Sequence, residues 1–236
     1  MKHAKVVLAV MGVMILLLAC SADKPASKAP EIKTFEQKIS YVFGREIGQS
    51  FRETPTQIDL DVFMLGIQDA MNQRPSLISA EEEEKAKEEF SAKMQEEQAK
   101  RLAAVADKNQ KEEESFLDKN KSQQGVVTTP SGLQYQVLQE GTGAAIQETD
   151  RVKVHYRGTL LDGTEFDSSY SRNQPAVFDV GGVIPGWTEG LQLMKVGGKY
   201  RLWIPSKLAY GARGAGKVIG PNTLLIFEVE PLEVVK

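Results

Sequence analysis

The sequence predicts an α+β chain in which a C-terminal antiparallel sheet wraps one short helix and is preceded by a long helix and an N-terminal helical unit. Three observations carry this prediction. Apolar residues recur at helical spacing between Thr34 and Met71. A run of Glu, Lys, Ala and Gln free of Gly and Pro fills residues 81–120. Beyond Asn120, β-branched residues alternate between turn signals. At 236 residues the chain exceeds what one small domain needs, so two or three units are expected.

The first residues have the form of an export leader, predicted over residues 1–19. Basic Lys2 and Lys5 precede an apolar run from Val6 to Leu18, which is too short to span a bilayer comfortably. The run ends Leu17-Leu18-Ala19-Cys20, similar to a bacterial lipobox, in which cleavage before the cysteine lets its thiol take up a lipid. Cys20 is therefore the expected lipid attachment residue, anchoring the chain to the cell envelope. An ordinary secretory signal with an incidental cysteine is the alternative, and both imply export. Ser21 after the cysteine, rather than Asp, resembles the outer-membrane pattern of Gram-negative lipoproteins. Cys20 is the chain's one cysteine, which excludes an intrachain disulfide, Cys-based metal sites and CxxC redox chemistry. The formal charge of -3, about -5 once the two leader lysines are removed, argues against nucleic acid as a partner.

Residues 20–33 are Ser, Lys, Ala, Asp and Pro with little to bury, and read as a flexible tether. Residues 34–78 follow with two amphipathic helices, one carrying Phe35, Ile39, Val42, Phe43, Ile47 and Phe51, the other Leu60, Phe63, Met64, Ile67 and Met71, joined at Thr54-Pro55. So small a unit lacks the interior to bury them all. The helices are expected to pair with a second copy, as a homodimer; packing on the C-terminal domain of the same chain is the alternative. Residues 79–121 then read as one connecting helix, opened by a capping box of Ser79 and Glu82. At 1.5 Å per residue it is a rod of about 60 Å. Its apolar stripe of Ala86, Phe90, Met94, Leu102 and Val105 is too sparse for sustained heptads, so it reads as a solvated spacer.

From residue 125 to 236 the predicted strands are 133–138, 151–160, 199–204 and 224–232, with one helix over 185–194. This domain offers no cysteine, no acid pair at a general acid/base spacing, and a single histidine, His155, which sits in an alternating strand and reads as structural. Covalent catalysis is not expected, nor any cofactor or metal. What stands out is a set of aromatic and aliphatic residues beside turns: Tyr156, Phe166, Val183, Ile184, Trp187, Tyr210, Ile219 and Phe227.

Their order and context carry a resemblance. Val154-His155-Tyr156-Arg157-Gly158-Thr159-Leu160, Asp162-Gly163, Phe166-Asp167-Ser168-Ser169, Val183-Ile184-Pro185-Gly186-Trp187 with Glu189-Gly190, and Ala209-Tyr210-Gly211 resemble the signature of the FKBP-type peptidyl-prolyl cis/trans isomerases. The upstream helices, with Phe43-Gly44-Arg45-Glu46-Ile47-Gly48 and the long charged helix, resemble the macrophage infectivity potentiator branch of that family. The resemblance implies an FKBP-like fold, a V-shaped dimer joined through its N-terminal helices, and unfolded or proline-containing polypeptides as partners.

It also implies a pocket walled by Tyr156, Phe166, Val183, Ile184, Tyr210, Ile219 and Phe227 with Trp187 as floor. Asp167 and the Tyr210 hydroxyl would be polar groups at the rim, and the Ile184 backbone N–H a donor to a substrate carbonyl. Asp167 has a second reading, as a turn-stabilising residue before Ser168-Ser169. The chain departs from the family at Ala176, where many members have an aromatic, in a shorter segment before Val183, and in the Gly214–Lys217 loop. Macrolide inhibitor binding is implied by the family, and these departures leave its affinity open. The implied function is isomerisation that assists folding of exported proteins; a chaperone-like binding module is the rival reading.

Overall fold

The structure is a computed structural model that describes residues 31–52 and 54–235. The leader, Cys20 and most of the tether lie outside the described residues. The chain divides into two compact units between residues 53 and 54, inside the stretch that the sequence reading treats as one helical unit.

In the first unit, helix α1 spans Phe35–Phe51. A reciprocal capping box starts it: Gln37 N–H donates to the Thr34 hydroxyl and the Thr34 N–H donates to the Gln37 side chain. None of its residues is buried, and Phe35, Tyr41, Phe43 and Ile47 are exposed.

The second unit begins with α2, Leu60–Met71, capped by the Asp59 carboxylate, which accepts from the N–H groups of Asp61 and Val62. Leu60, Val62, Met64 and Met71 stand exposed on it. Helix α3, Ala80–Asn120, starts at the Ser79/Glu82 box as predicted, with the Ser79 N–H donating to Glu82 Oε2 at 2.8 Å. The i,i+4 pairs Glu83–Lys87, Glu96–Lys100 and Glu97–Arg101 lie along its solvated length, where solvent screens them strongly.

Seven strands follow: β1 (Val126–Thr128), β2 (Gln134–Gln139), β3 (Arg151–Thr159), β4 (Glu165–Ser168), β5 (Ala176–Asp179), β6 (Lys199–Ile204) and β7 (Leu225–Val235). They pair antiparallel in the order β1-β2-β6-β7-β3-β4, with β5 also on β3. β1, β4 and β5 were not predicted, because strands of three or four residues hold too few alternations to register as a period.

Alternation decides which face is inside. Val152, Val154 and Tyr156 of β3, Tyr200, Leu202 and Ile204 of β6, and Leu225, Phe227 and Val229 of β7 face the core. There they meet Trp187 and Leu191 of α4, Pro185–Gln192. Pro185 suits the first turn of α4, where its missing N–H would have no helical partner. The close seat of α4 on β6 depends on Gly186, where a Cβ would come within 2.3 Å of Ile204 Cγ2. Sheet and helix thus form one layer pair around a single core, and the first turn of α4 is held under one end of the sheet.

Candidate active site

At that end lies a cavity of about 580 Å³, within the usual range for ligand sites. All nine pocket residues expected from the sequence line it: Tyr156, Phe166, Asp167, Val183, Ile184, Trp187, Tyr210, Ile219 and Phe227. Phe178 and Gly182 line it too, and the sequence reading named neither.

Trp187, only 4% exposed, is ringed edge-on by Tyr156 at 5.3 Å, Phe178 at 5.3 Å and Phe227 at 5.1 Å between centroids. Phe166 meets Phe227 edge-on at 5.4 Å. Edge-to-face contacts of this kind add about 0.5–1.5 kcal/mol each to the area they bury, so the wall is stiff. Room for the Phe166 and Phe227 rings comes from Gly158 on β3, where a Cβ would lie 2.6 Å from Phe166 and 2.7 Å from Phe227. Phe178 sits two residues beyond Ala176 on the same side of β5. It supplies an aromatic wall although position 176 has none, and β5 is too short for its alternation to have pointed there from sequence.

The polar side of the cavity is a closed triangle. The Tyr156 hydroxyl donates to Asp167 Oδ2 at 2.5 Å, Arg172 Nη1 donates to Asp167 Oδ1 at 2.5 Å, and Arg172 Nη2 donates to the Tyr156 oxygen at 2.9 Å. The Arg172 guanidinium also lies 5.8 Å from the centroid of the Tyr156 ring, close enough for a cation–π contribution. Arg172 had no sequence signal, since the loop that carries it has no period. Burial pushes the Asp167 carboxyl up, but hydrogen bonds from Arg172 and Tyr156 and the Arg172 charge outweigh it and hold the group below the ordinary aspartate value. A depressed carboxylate is ionised above its unfolded value of about 3.9, and its contribution is lost as pH falls through the lower folded value. The triangle should therefore keep its charge between about pH 5 and 8, and the contribution of Asp167 to stability should be lost only below about pH 4, as urea midpoints measured across that range would record.

Val183 and Ile184 are placed by the turn Val180–Gly182, which is tied down by Val180 N–H donating to Asp150 O at 2.9 Å and by the Thr188 hydroxyl donating to Val180 O at 2.7 Å. Ile184 precedes α4, where its carbonyl accepts from Trp187 and Thr188, while its own N–H makes no hydrogen bond among the described residues. Tyr210 stands 41% exposed at the mouth. Ile219 is held by a reciprocal backbone pair with Ala215 at 2.8 and 3.1 Å. His155 is outside the cavity, bonded through Nδ1 to the Ser169 hydroxyl at 2.9 Å and stacked on Tyr170 at 4.7 Å. That agrees with its structural reading.

Comparison with known proteins matches residues 143–232 to the family described as FKBP-type peptidyl-prolyl cis-trans isomerase. Residues 36–137 match the domain amino terminal to FKBP-type peptidyl-prolyl isomerase. The chain is 39% identical to the outer membrane protein MIP of Legionella longbeachae over 236 residues, covering 100% of this chain and 99% of that protein. It is 42% identical to the FKBP-type 22 kDa peptidyl-prolyl cis-trans isomerase of Escherichia coli, covering 87% of this chain and 98% of the relative. Among solved structures, FkpA from Escherichia coli superimposes with a TM-score of 0.72 at 39% identity, covering 86% of this chain and 98% of that one.

Proposed function

The chain belongs to the FKBP-type peptidyl-prolyl cis-trans isomerases, and from that membership and the cavity we propose that it speeds folding of exported proteins by stabilising a twisted X-Pro amide without a covalent step. One observation carries the mechanism: an aromatic box floored by Trp187, with its polar groups confined to the Asp167–Tyr156–Arg172 triangle, Tyr210 and the Ile184 N–H.

Resonance holds the X-Pro amide planar with a barrier of about 18–20 kcal/mol, and uncatalysed rotation takes tens of seconds. The twisted amide has lost that resonance and its charge separation, so a water-poor apolar wall disfavours it less than the planar form. Binding the twisted form better than either planar form is what accelerates rotation. In this reading the proline ring rests on Trp187, Ile184 N–H donates to a substrate carbonyl, and Asp167 and Tyr210 face the rotating amide. The slow, proline-limited refolding phase of a reporter protein should speed up in proportion to added chain; an unchanged phase would argue against the proposal.

We read residues 34–78 as a dimerisation unit, 79–121 as the connecting helix and 125–236 as the isomerase domain. The exposed apolar residues of α1 and of α2 support pairing with a second copy. Sedimentation should give twice the monomer mass for residues 21–236 and the monomer mass for residues 79–236. Lipidation at Cys20 and an outer-membrane address are proposed from the leader, and a Cys20→Ser chain should lose labelled fatty acid. Tacrolimus-like macrolides are proposed as competitors for the same cavity.

A further inference from the structure

The long helix α3 reads from sequence as a solvated spacer, yet two of its side chains, Asn109 and Glu113, reach the isomerase domain one helical turn apart. Glu113 Oε2 accepts from the Ser206 backbone N–H at 2.7 Å, at the head of the short 3-10 turn Ser206–Leu208 that leads into Ala209-Tyr210. Asn109 Nδ2 donates to Pro221 O at 2.8 Å and to the Thr223 hydroxyl at 3.1 Å, just beyond Ile219. The two loops are also tied to each other, since Asn222 N–H donates to Gly211 O at 2.8 Å. Gly220 lies so close to the helix that a Cβ there would be 3.4 Å from Asn109 Nδ2 and 3.6 Å from Val105 Cγ1.

Tyr210 and Ile219 are the two cavity residues carried on these loops rather than on the sheet or α4. A loop bound at one end to the sheet keeps its own freedom, and a rigid helix that donates hydrogen bonds to one loop and accepts one from the other removes that freedom before substrate arrives. We propose that Asn109 and Glu113 of α3 are positioning residues for prolyl isomerisation, holding the loops that set Tyr210 and Ile219 in the cavity wall. Neither side chain lines the cavity, so they act only through the loops. Glu113 is half-buried, and its burial raises its carboxyl above the ordinary value, in keeping with a group taken from water for this contact.

This rests on the isomerase reading, and its test separates the two. Full-length Glu113→Ala, Asn109→Ala and the double variant are compared with wild type on an X-Pro tetrapeptide well below their unfolding midpoints. Amide hydrogen exchange is followed at Ala209, which donates to Ser206 O beside Tyr210, and at Ile219, which donates to Ala215 O. Each single change should lower kcat/KM roughly threefold to tenfold, below the ~10²-fold that displacing groups by about an ångström costs, and should speed exchange at both amides. Glu113→Gln, whose amide oxygen accepts the same bond, should restore wild-type values. Asn109→Ala leaves the Glu113 contact in place and keeps the test open if Glu113→Ala does not fold. A folded double variant with wild-type kcat/KM and unchanged exchange would overturn the proposal, as would a Glu113→Gln chain as impaired as Glu113→Ala. An inert wild type would instead strike the isomerase reading, while exchange would still report on the loops.

Discussion

Asp167→Ala is expected to lower kcat/KM for an X-Pro tetrapeptide by about tenfold to a hundredfold. Hydrogen bonds to charged groups contribute about 1.5–3 kcal/mol, and each ~1.4 kcal/mol is tenfold in rate. The change removes a carboxylate from the cavity wall and leaves the Tyr156 hydroxyl and the Arg172 guanidinium without the partner they share. Asp167 is itself 41% exposed at the rim, so the fold should tolerate its loss and the deficit should be one of rate. Asp167→Asn keeps the shape and one acceptor but loses the charge, and should fall between the two. Parallel measurement of kcat/KM and the urea midpoint distinguishes this from unfolding: a variant that loses stability but keeps its rate per folded molecule would assign Asp167 to the turn.

Trp187→Ala should destabilise the isomerase domain by about 3–5 kcal/mol, the usual range for removing a large buried aromatic. Three rings, Tyr156, Phe178 and Phe227, lose the face they meet edge-on. The loss is one of packing, because Trp187 Nε1 has no hydrogen-bond partner among the described residues. Trp187→Phe should therefore recover most of the stability, while a smaller floor lowers activity. The check is equilibrium unfolding of the three chains; a Trp187→Ala midpoint within error of wild type would mean that the box is not part of the core.

How far the sequence reaches depends on the range of the signal. The Ser79/Glu82 box and the β6 strand at 199–204 are local patterns, and each is found where the pattern puts it, whereas the gathering of Tyr156 and Phe227 at Trp187 was implied by the family resemblance and by no local pattern. Strand β7 runs on to Val235, beyond the predicted end at 232, because pairing with Arg151 and Val152 of β3 carries it past the point where its apolar alternation fades. Arg172 and the docking of Asn109 and Glu113 were not legible. They are polar residues in polar stretches, and only the fold brings them to partners remote in sequence. Phe178 was not legible either, since β5, which carries it, is too short to register as a period.

The most direct test of the account is the cis-to-trans rate of a proline tetrapeptide, followed by NMR exchange between its cis and trans resonances, with and without residues 21–236. The account predicts exchange accelerated in proportion to protein, with no covalent adduct, and abolished when a competitor fills the cavity floored by Trp187. A well-folded chain that binds the peptide yet leaves the exchange rate unchanged would contradict it.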